Sequence, residues 1–190
     1  MKKYLNLTLL LLSMLISACS FQPKSEAWLT KETKVNLPKL DLNQNYHDQQ
    51  LLTFKYNNQE NSIITIVDIK DNHLTVMGLS TIGIRLFEIQ YNGSEVKAKQ
   101  HIFIQQLPPP EQVLSDIMLS ILPTAAWKKV LPTDWQLIDE GLSRTLINDR
   151  HETIINITYN KQPTNVIRKP IKIEHAVFSY QIAIQSMEKQ

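Results

Sequence analysis

One cysteine, Cys19, stands in the 190 residues. A chain with a single thiol closes no disulfide within itself, so its fold must hold by core packing alone. Only four glycines are present, too few and too scattered for a loop that cradles phosphate, which argues against nucleotide binding. No run of lysines or arginines occurs, so nucleic acid is a poor partner. No apolar stretch reaches the roughly 20 residues that a membrane-spanning helix needs. His47, His73, His101, His151 and His175 are scattered singly. None has the i, i+4 or similar spacing that ligates zinc, so no metal site or cofactor is expected.

What is present begins at the N-terminus. Lys2 and Lys3 precede an apolar segment from Leu7 to Ile16, broken only by Thr8 and Ser13. Its proportions suit a cleaved secretory signal. Ile16-Ser17-Ala18-Cys19 then resembles the lipobox of bacterial lipoproteins, in which the cysteine receives a diacylglycerol before cleavage. An ordinary signal peptide that contains a cysteine is the plainer reading. The lipobox resemblance implies lipidation at Cys19, with acyl chains that hold the protein on a membrane; stable anchoring takes about two chains. Ser20 and Phe21 follow the cysteine, and the absence of aspartate there implies the periplasmic face of the outer membrane.

Removal of residues 1–18 would leave 172 residues, a length that suits one domain with a sizeable core. Lys2 and Lys3 would leave with the signal, so 18 basic residues would balance 18 acidic ones. The expected organisation is a signal peptide over 1–18, a lipidated N-terminus and tether over 19–49, and a folded domain over 50–190. Residues from Trp28 onward are expected to pack on that domain.

From Leu51 the pattern alternates with period two, as in half-buried strands. Strands are predicted over 51–56, 62–69, 73–80, 83–91 and 94–104, with Asn92-Gly93 marking a hairpin. Pro108, Pro109 and Pro110 then change the period. Val113, Leu114, Ile117, Met118, Ile121 and Leu122 form one apolar stripe on a helix from Glu111 to Leu122, stopped by Pro123. A second short helix is predicted over 124–131. Strands resume at 135–140, 143–149, 152–160, 171–177 and 178–185. Ile171, Ile173, His175 and Val177 are expected to share one face, which makes His175 a core histidine. The architecture is therefore mainly β, about ten antiparallel strands with a helical pair inserted after the fifth. Two roles for that pair stand open: a structural plug, or a lid over an apolar ligand cavity.

"MGLSTIGIRLFEIQYNG" (77–93) is the most distinctive passage. It resembles the "GLSPLGQRLF…YDG" block of an uncharacterised lipoprotein family of Gram-negative bacteria, often encoded beside aryl-polyene and fatty-acid-type biosynthesis genes. Gly78, Leu79, Ser80, Gly83, Arg85, Leu86, Phe87, Tyr91 and Gly93 carry the match. Pro123, Leu131, Pro132, Trp135, the Arg144–Leu146 strand, Ile157 and Tyr159 extend it. Thr81 and Ile84 depart from it, standing where proline and glutamine are usual. That family is similar in architecture to LolA and LolB, the periplasmic carrier and outer-membrane receptor for lipoproteins. The resemblance implies a half-open antiparallel barrel covered by short helices, an acyl-chain or lipid ligand, and a periplasmic carrier protein as partner.

Chemistry is sparse. Ser80 lies in Gly78-Leu79-Ser80-Thr81-Ile82-Gly83, one residue too long for a nucleophile elbow and running strand to strand. Gly78 and Gly83 read better as turn and close-contact positions. No acid–base pair is evident, and an enzyme is not expected. The expected activity is non-enzymatic holding of an acyl chain or lipid in the periplasm; the competing expectation is an envelope scaffold or interaction lipoprotein with no lipid cavity. Cavity residues are expected at Ile64, Ile66 and Phe87 on the sheet, and at Leu114, Ile117, Met118, Ile121 and Trp127 on the helical side. Alternation places Arg85 beside Phe87, Ile89 and Tyr91, either as a snorkelling or paired side chain or as a headgroup contact at the cavity mouth.

Overall fold

The computed structural model describes residues 25–42, 44–56, 59–102, 108–162 and 167–187. Cys19, with the rest of the first 24 residues, lies outside them, as does the end of the strand expected at 94–104. The first described elements are a small hairpin of β1 (Glu26–Trp28) and β2 (Lys34–Asn36). Five strands follow: β3 (Tyr46–Tyr56), β4 (Gln59–Lys70), β5 (His73–Leu79), β6 (Arg85–Tyr91) and β7 (Val96–Gln100). Helix α1 (Pro110–Ile121) and the short α2 (Thr124–Lys128) come next. Five more strands complete the chain: β8 (Gln136–Glu140), β9 (Ser143–Ile147), β10 (Thr153–Tyr159), β11 (Pro170–His175) and β12 (Tyr180–Ser186).

Ten of these strands form one antiparallel sheet in the order β7-β6-β5-β4-β3-β12-β11-β10-β9-β8. The two halves of the chain are thus two meanders joined where β12 returns beside β3. Among the described residues β7 and β8 have no outer neighbour, and the sheet is not a closed barrel. The β7 edge is exposed and carries Lys97 and Lys99, charges that discourage pairing with another sheet. Helical insertion after the fifth sheet strand agrees with the change of period read at the three prolines. Pro110 occupies the first turn of α1, where its missing N–H costs nothing. Pro123 forces Leu122 into an extended conformation and ends the helix.

One face of the sheet is dry. Val67 and Ile69 of β4, Leu74 and Val76 of β5, Ile89 and Tyr91 of β6, and Ile155 and Ile157 of β10 are all buried. The β1–β2 hairpin joins this core through Ala27, Leu29 and Val35, and Leu37 and Leu40 follow it in. The Tyr91 hydroxyl donates to the carbonyls of Leu37 (3.1 Å) and Pro38 (3.2 Å), tying that segment to β6. Burial pushes this phenol up to about 12.

Three bulges override simple alternation, one of them at Ile154 of β10, where Thr153 pairs with Ile147 and Ile155 with Leu146. In β6, Gly78 pairs with Phe87 but Leu79 pairs with Arg85, which leaves Leu86 as an extra residue. A bulge turns what precedes it to the other face. In β11, Thr158 pairs with Lys172 and Tyr159 with Pro170, which makes Ile171 the extra residue. Ile171 is accordingly exposed, while Pro170, Ile173 and His175 are buried; the shared face expected for Ile171 stops at this bulge. The 92–95 loop departs from a two-residue hairpin as well. Only Gly93 takes positive φ (+90°), and the Asn92 side chain instead accepts the Ser94 and Glu95 amides.

Gly78 is a packing requirement. A Cβ built there would lie 2.3–2.7 Å from the Phe87 ring, which covers the glycine from the paired position on β6. Gly78→Ala is expected to lower stability by about 1–3 kcal/mol through overpacking, read as a fall in thermal midpoint. An unchanged midpoint would show that Phe87 has room to turn away.

Candidate functional site

Beneath α1 lies an apolar cleft of about 50 Å³. The central strands form its floor, through Leu52 and Phe54 of β3, Ile63 and Val67 of β4, and Ile182 and Ile184 of β12. Phe87 and Ile173 close its flanks. Val113, Ile117 and Ile121 of α1, one helical turn apart, form the roof, with Pro108 at the N-terminal end of the helix. Val113, Ile117 and Pro108 are only half-buried, so the cleft approaches solvent there.

Among the expected cavity residues, Phe87, Ile117 and Ile121 line this cleft. Ile64 and Ile66 do not: Gln50 pairs with Thr65 and Leu52 with Ile63, so the odd-numbered residues of β4 face the cleft and the even-numbered ones the opposite side. Leu114, Met118 and Trp127 are fully buried but lie outside the lining. The stripe on α1 is broad enough to divide, one edge facing the cleft and the other filling the packed core of the helical cover. Arg85 is exposed and pairs with Glu88 at 3.4 Å, because the bulge at Leu86 removes it from the face of Phe87 and Ile89. It is not at the mouth of this cleft.

Polar groups that the sequence pattern did not single out interrupt the lining. Asp116, on the cleft side of α1, is 3% exposed. It accepts hydrogen bonds from the Tyr180 hydroxyl (2.5 Å) and the Gln112 amide (3.2 Å). Burial pushes its carboxyl up to about 7, against the opposing pull of those two bonds. Ser120, one turn along, donates to the backbone carbonyl of Asp116 (2.7 Å). On the floor, Gln50 and Thr65 are cross-strand partners, and both are buried. Gln50 donates to Asp48 (2.7 Å), whose carboxylate also receives Lys169 (2.6 Å) and Ser186 (2.6 Å). Polar residues on a helix stripe or a strand face read from sequence as breaks in the pattern, and only the pairing shows that they meet.

The far end of the roof is fastened. Arg144 of β9 donates to the carbonyls of Leu119 (2.6 Å) and Leu122 (2.8 Å). The Tyr159 hydroxyl donates to Ser120 (2.6 Å), and Trp127 Nε1 to Met118 (3.2 Å). These three side chains satisfy the carbonyls that a helix C-terminus otherwise leaves open. Arg144 is itself paired with Asp139 at 2.7 Å, Arg168 also pairs with Asp139, and the Arg168 guanidinium stacks 3.7 Å from the Tyr159 ring centre. Both arginines hold the Asp139 carboxyl below its usual range against the opposing effect of burial.

Ser80 is a turn residue. Its Oγ accepts the Ile84 amide (3.0 Å) across the β5–β6 turn, where Gly83 takes φ +84°. His175 sits in the core as the pattern indicated, against Phe178 and Tyr180. Burial pushes its imidazole down to about 4. Among the described residues no three His, Cys, Asp or Glu side chains are grouped to hold a metal ion, and no helix is long and apolar enough to cross a membrane.

Residues 47–188 match the family model described as "Protein of unknown function (DUF3261)". The segments that carried the sequence resemblance, from Met77 to Tyr159, fall inside that span. No curated protein matches the chain.

Proposed function

We propose that this chain, which belongs to the DUF3261 family of proteins of unknown function, is a non-enzymatic binder of an acyl chain or lipid. In this reading it is a lipoprotein anchored through Cys19 on the periplasmic face of the outer membrane. Its sheet and helical cover form a LolA/LolB-like half-barrel that passes its ligand to or from a periplasmic carrier protein. The aryl-polyene context implied by the sequence resemblance makes a polyene-type lipid one such ligand.

The cleft between α1 and the central strands carries the proposal: most of its lining is aliphatic or aromatic, and it approaches solvent at the N-terminal end of the helix. Burial of a chain there is worth about 0.8 kcal/mol per methylene. At about 50 Å³ the cleft is too small to hold a chain as it stands, since ligand pockets span roughly 300–1,000 Å³. Loading therefore requires α1 to lift. Its C-terminal end is held by Arg144, Tyr159 and Trp127, so the N-terminal end at Pro108–Val113 is the part that moves.

The same small volume favours one other reading, an envelope scaffold or interaction lipoprotein with a filled interior. Mass spectrometry of lipids extracted from a soluble form, residues 20–190 purified from the periplasm, separates the two. A stoichiometric acyl or polyene species, lost in Ile117→Asp, is expected for the binder. A protein that carries no lipid and takes up no fluorescent fatty acid would leave the scaffold.

A further inference from the structure

The cleft contains a polar site with an unmet hydrogen-bonding group. Thr65 lines the floor and is 2% exposed, yet among the described residues its Oγ1 has no hydrogen-bond partner. A buried hydroxyl without a partner costs about 1–3 kcal/mol. Valine has the same shape and would avoid that cost, so the hydroxyl calls for a function. Asp116 faces the same small space from the roof, and its carboxyl oxygens retain acceptor capacity beyond the bonds from Tyr180 and Gln112.

The lining also selects by charge. Among the described residues no lysine, arginine or histidine contributes to it. The cation bound to Gln50's partner Asp48 is Lys169, and its ammonium is already engaged by Asp48 and Ser186. Arg85 lies outside the cleft altogether. An anionic headgroup would have to shed its water with no counter-ion to receive it, beside the one carboxyl in the wall.

Building on the acyl-chain reading above, we infer that the ligand carries an uncharged hydrogen-bonding group, an amide, ester or hydroxyl, which sits between Thr65 and Asp116 inside the cleft. Free fatty carboxylates are disfavoured. Thr65 donates to the carbonyl or hydroxyl oxygen of such a group, and Asp116, in either charge state, accepts from an amide or hydroxyl. An acyl group in amide or ester linkage, as in a lipid, meets this requirement; the hydrolysed acid does not.

The full chain in lipid nanodiscs, with empty nanodiscs as blank, is titrated at pH 8 by displacement of a fluorescent alkyl probe. The competitors are dodecanol, dodecanamide, dodecanoate and dodecylamine, and Thr65→Val is run beside the parent. Dodecanol and dodecanamide are expected to bind about tenfold more tightly than dodecanoate. Thr65→Val is expected to weaken those two by about three- to tenfold, the range of one hydrogen bond, while leaving dodecanoate unchanged. The same variant is expected to unfold at a higher temperature, because it loses an unpaired buried hydroxyl.

Equal binding of all four probes, or a preference that Thr65→Val leaves intact, overturns the inference but leaves the acyl-chain reading standing. Tightest binding of dodecylamine overturns it by making Asp116 a counter-ion. A lowered unfolding temperature with unchanged binding overturns it by assigning Thr65 to a structural water, which a cavity of this size has room for. Failure of every probe to displace removes the acyl-chain reading itself.

Discussion

Arg144→Ala is expected to cost about 3–5 kcal/mol of folding stability, the loss typical of breaking a buried charge network by removing one partner. Arg144 is 5% exposed and serves two elements at once. Its Nη1 holds the carbonyls of Leu119 and Leu122 at the end of α1, while Nε and Nη2 hold both oxygens of Asp139. Alanine would leave two carbonyls without a donor and Asp139 with Arg168 as its remaining cation. It would also loosen the fixed end of α1, so both ends of the roof would be free to lift. Urea unfolding checks the magnitude, and a loss below about 1 kcal/mol would show that Tyr159 and Trp127 hold the helix unaided. Arg144→Lys should recover little, because one ammonium cannot reach both carbonyls and grip a carboxylate bidentately.

Asp116 and His175 are expected to impose opposing pH dependences that nearly cancel in the parent and emerge in the variants. The Asp116 carboxyl is raised from 3.8 to about 7. Between those values the folded state keeps a proton that the unfolded state has lost. Its contribution is therefore full below about pH 4 and lost as pH rises through 7. At 1.36 kcal/mol per pH unit the full span is worth about 4 kcal/mol. The His175 imidazole is lowered from 6.5 to about 4. Its contribution is full above pH 6.5 and lost as pH falls through 4, a span of about 3 kcal/mol. From pH 4 to 6.5 the two slopes have opposite sign.

Asp116→Asn should thus unmask a rise in stability with pH up to about 6.5, and it should be more stable than the parent at pH 8. His175→Phe should unmask the reverse, a fall from pH 4 to 7. Chemical denaturation at fixed pH steps measures both. Parallel pH profiles for the two variants would show that neither group titrates as its burial dictates.

Periodicity made much of this architecture legible. The strands of both meanders, the change of period at Pro108–Pro110, the stop at Pro123 and the core position of His175 follow from local alternation, helix stripes and proline stereochemistry. Those effects act within a few residues and need no partner. The lining of the cleft was legible only in part. Phe87, Ile117 and Ile121 lie on faces that the pattern marks as apolar, but the stripe on α1 is too broad for the pattern to separate Ile117 and Ile121 from Leu114 and Met118. "SIITIV" is apolar on both faces, so alternation cannot say whether Ile64 and Ile66 or Ile63 and Val67 look inward. A one-residue difference in parity moves every side chain to the other face. Arg85 was placed by the same alternation, and one extra residue at Leu86 reversed it.

The resemblance residues Arg144 and Tyr159 show the same division. The sequence marks them as shared with a family, whereas the fold assigns them to fastening the end of α1 from strands 22 and 39 residues away in the chain. From Leu51 onward the sequence by itself determined the element types, the order of the two meanders and the insertion of helices between them, because these depend on near neighbours; the β1–β2 hairpin was not among them. The tertiary structure alone decided which face of β4 floors the cleft, that Asp116 meets Tyr180, and that Thr65 is buried without a partner. Those outcomes depend on strand register and on contacts between distant segments, and register is fixed only when the strands pair.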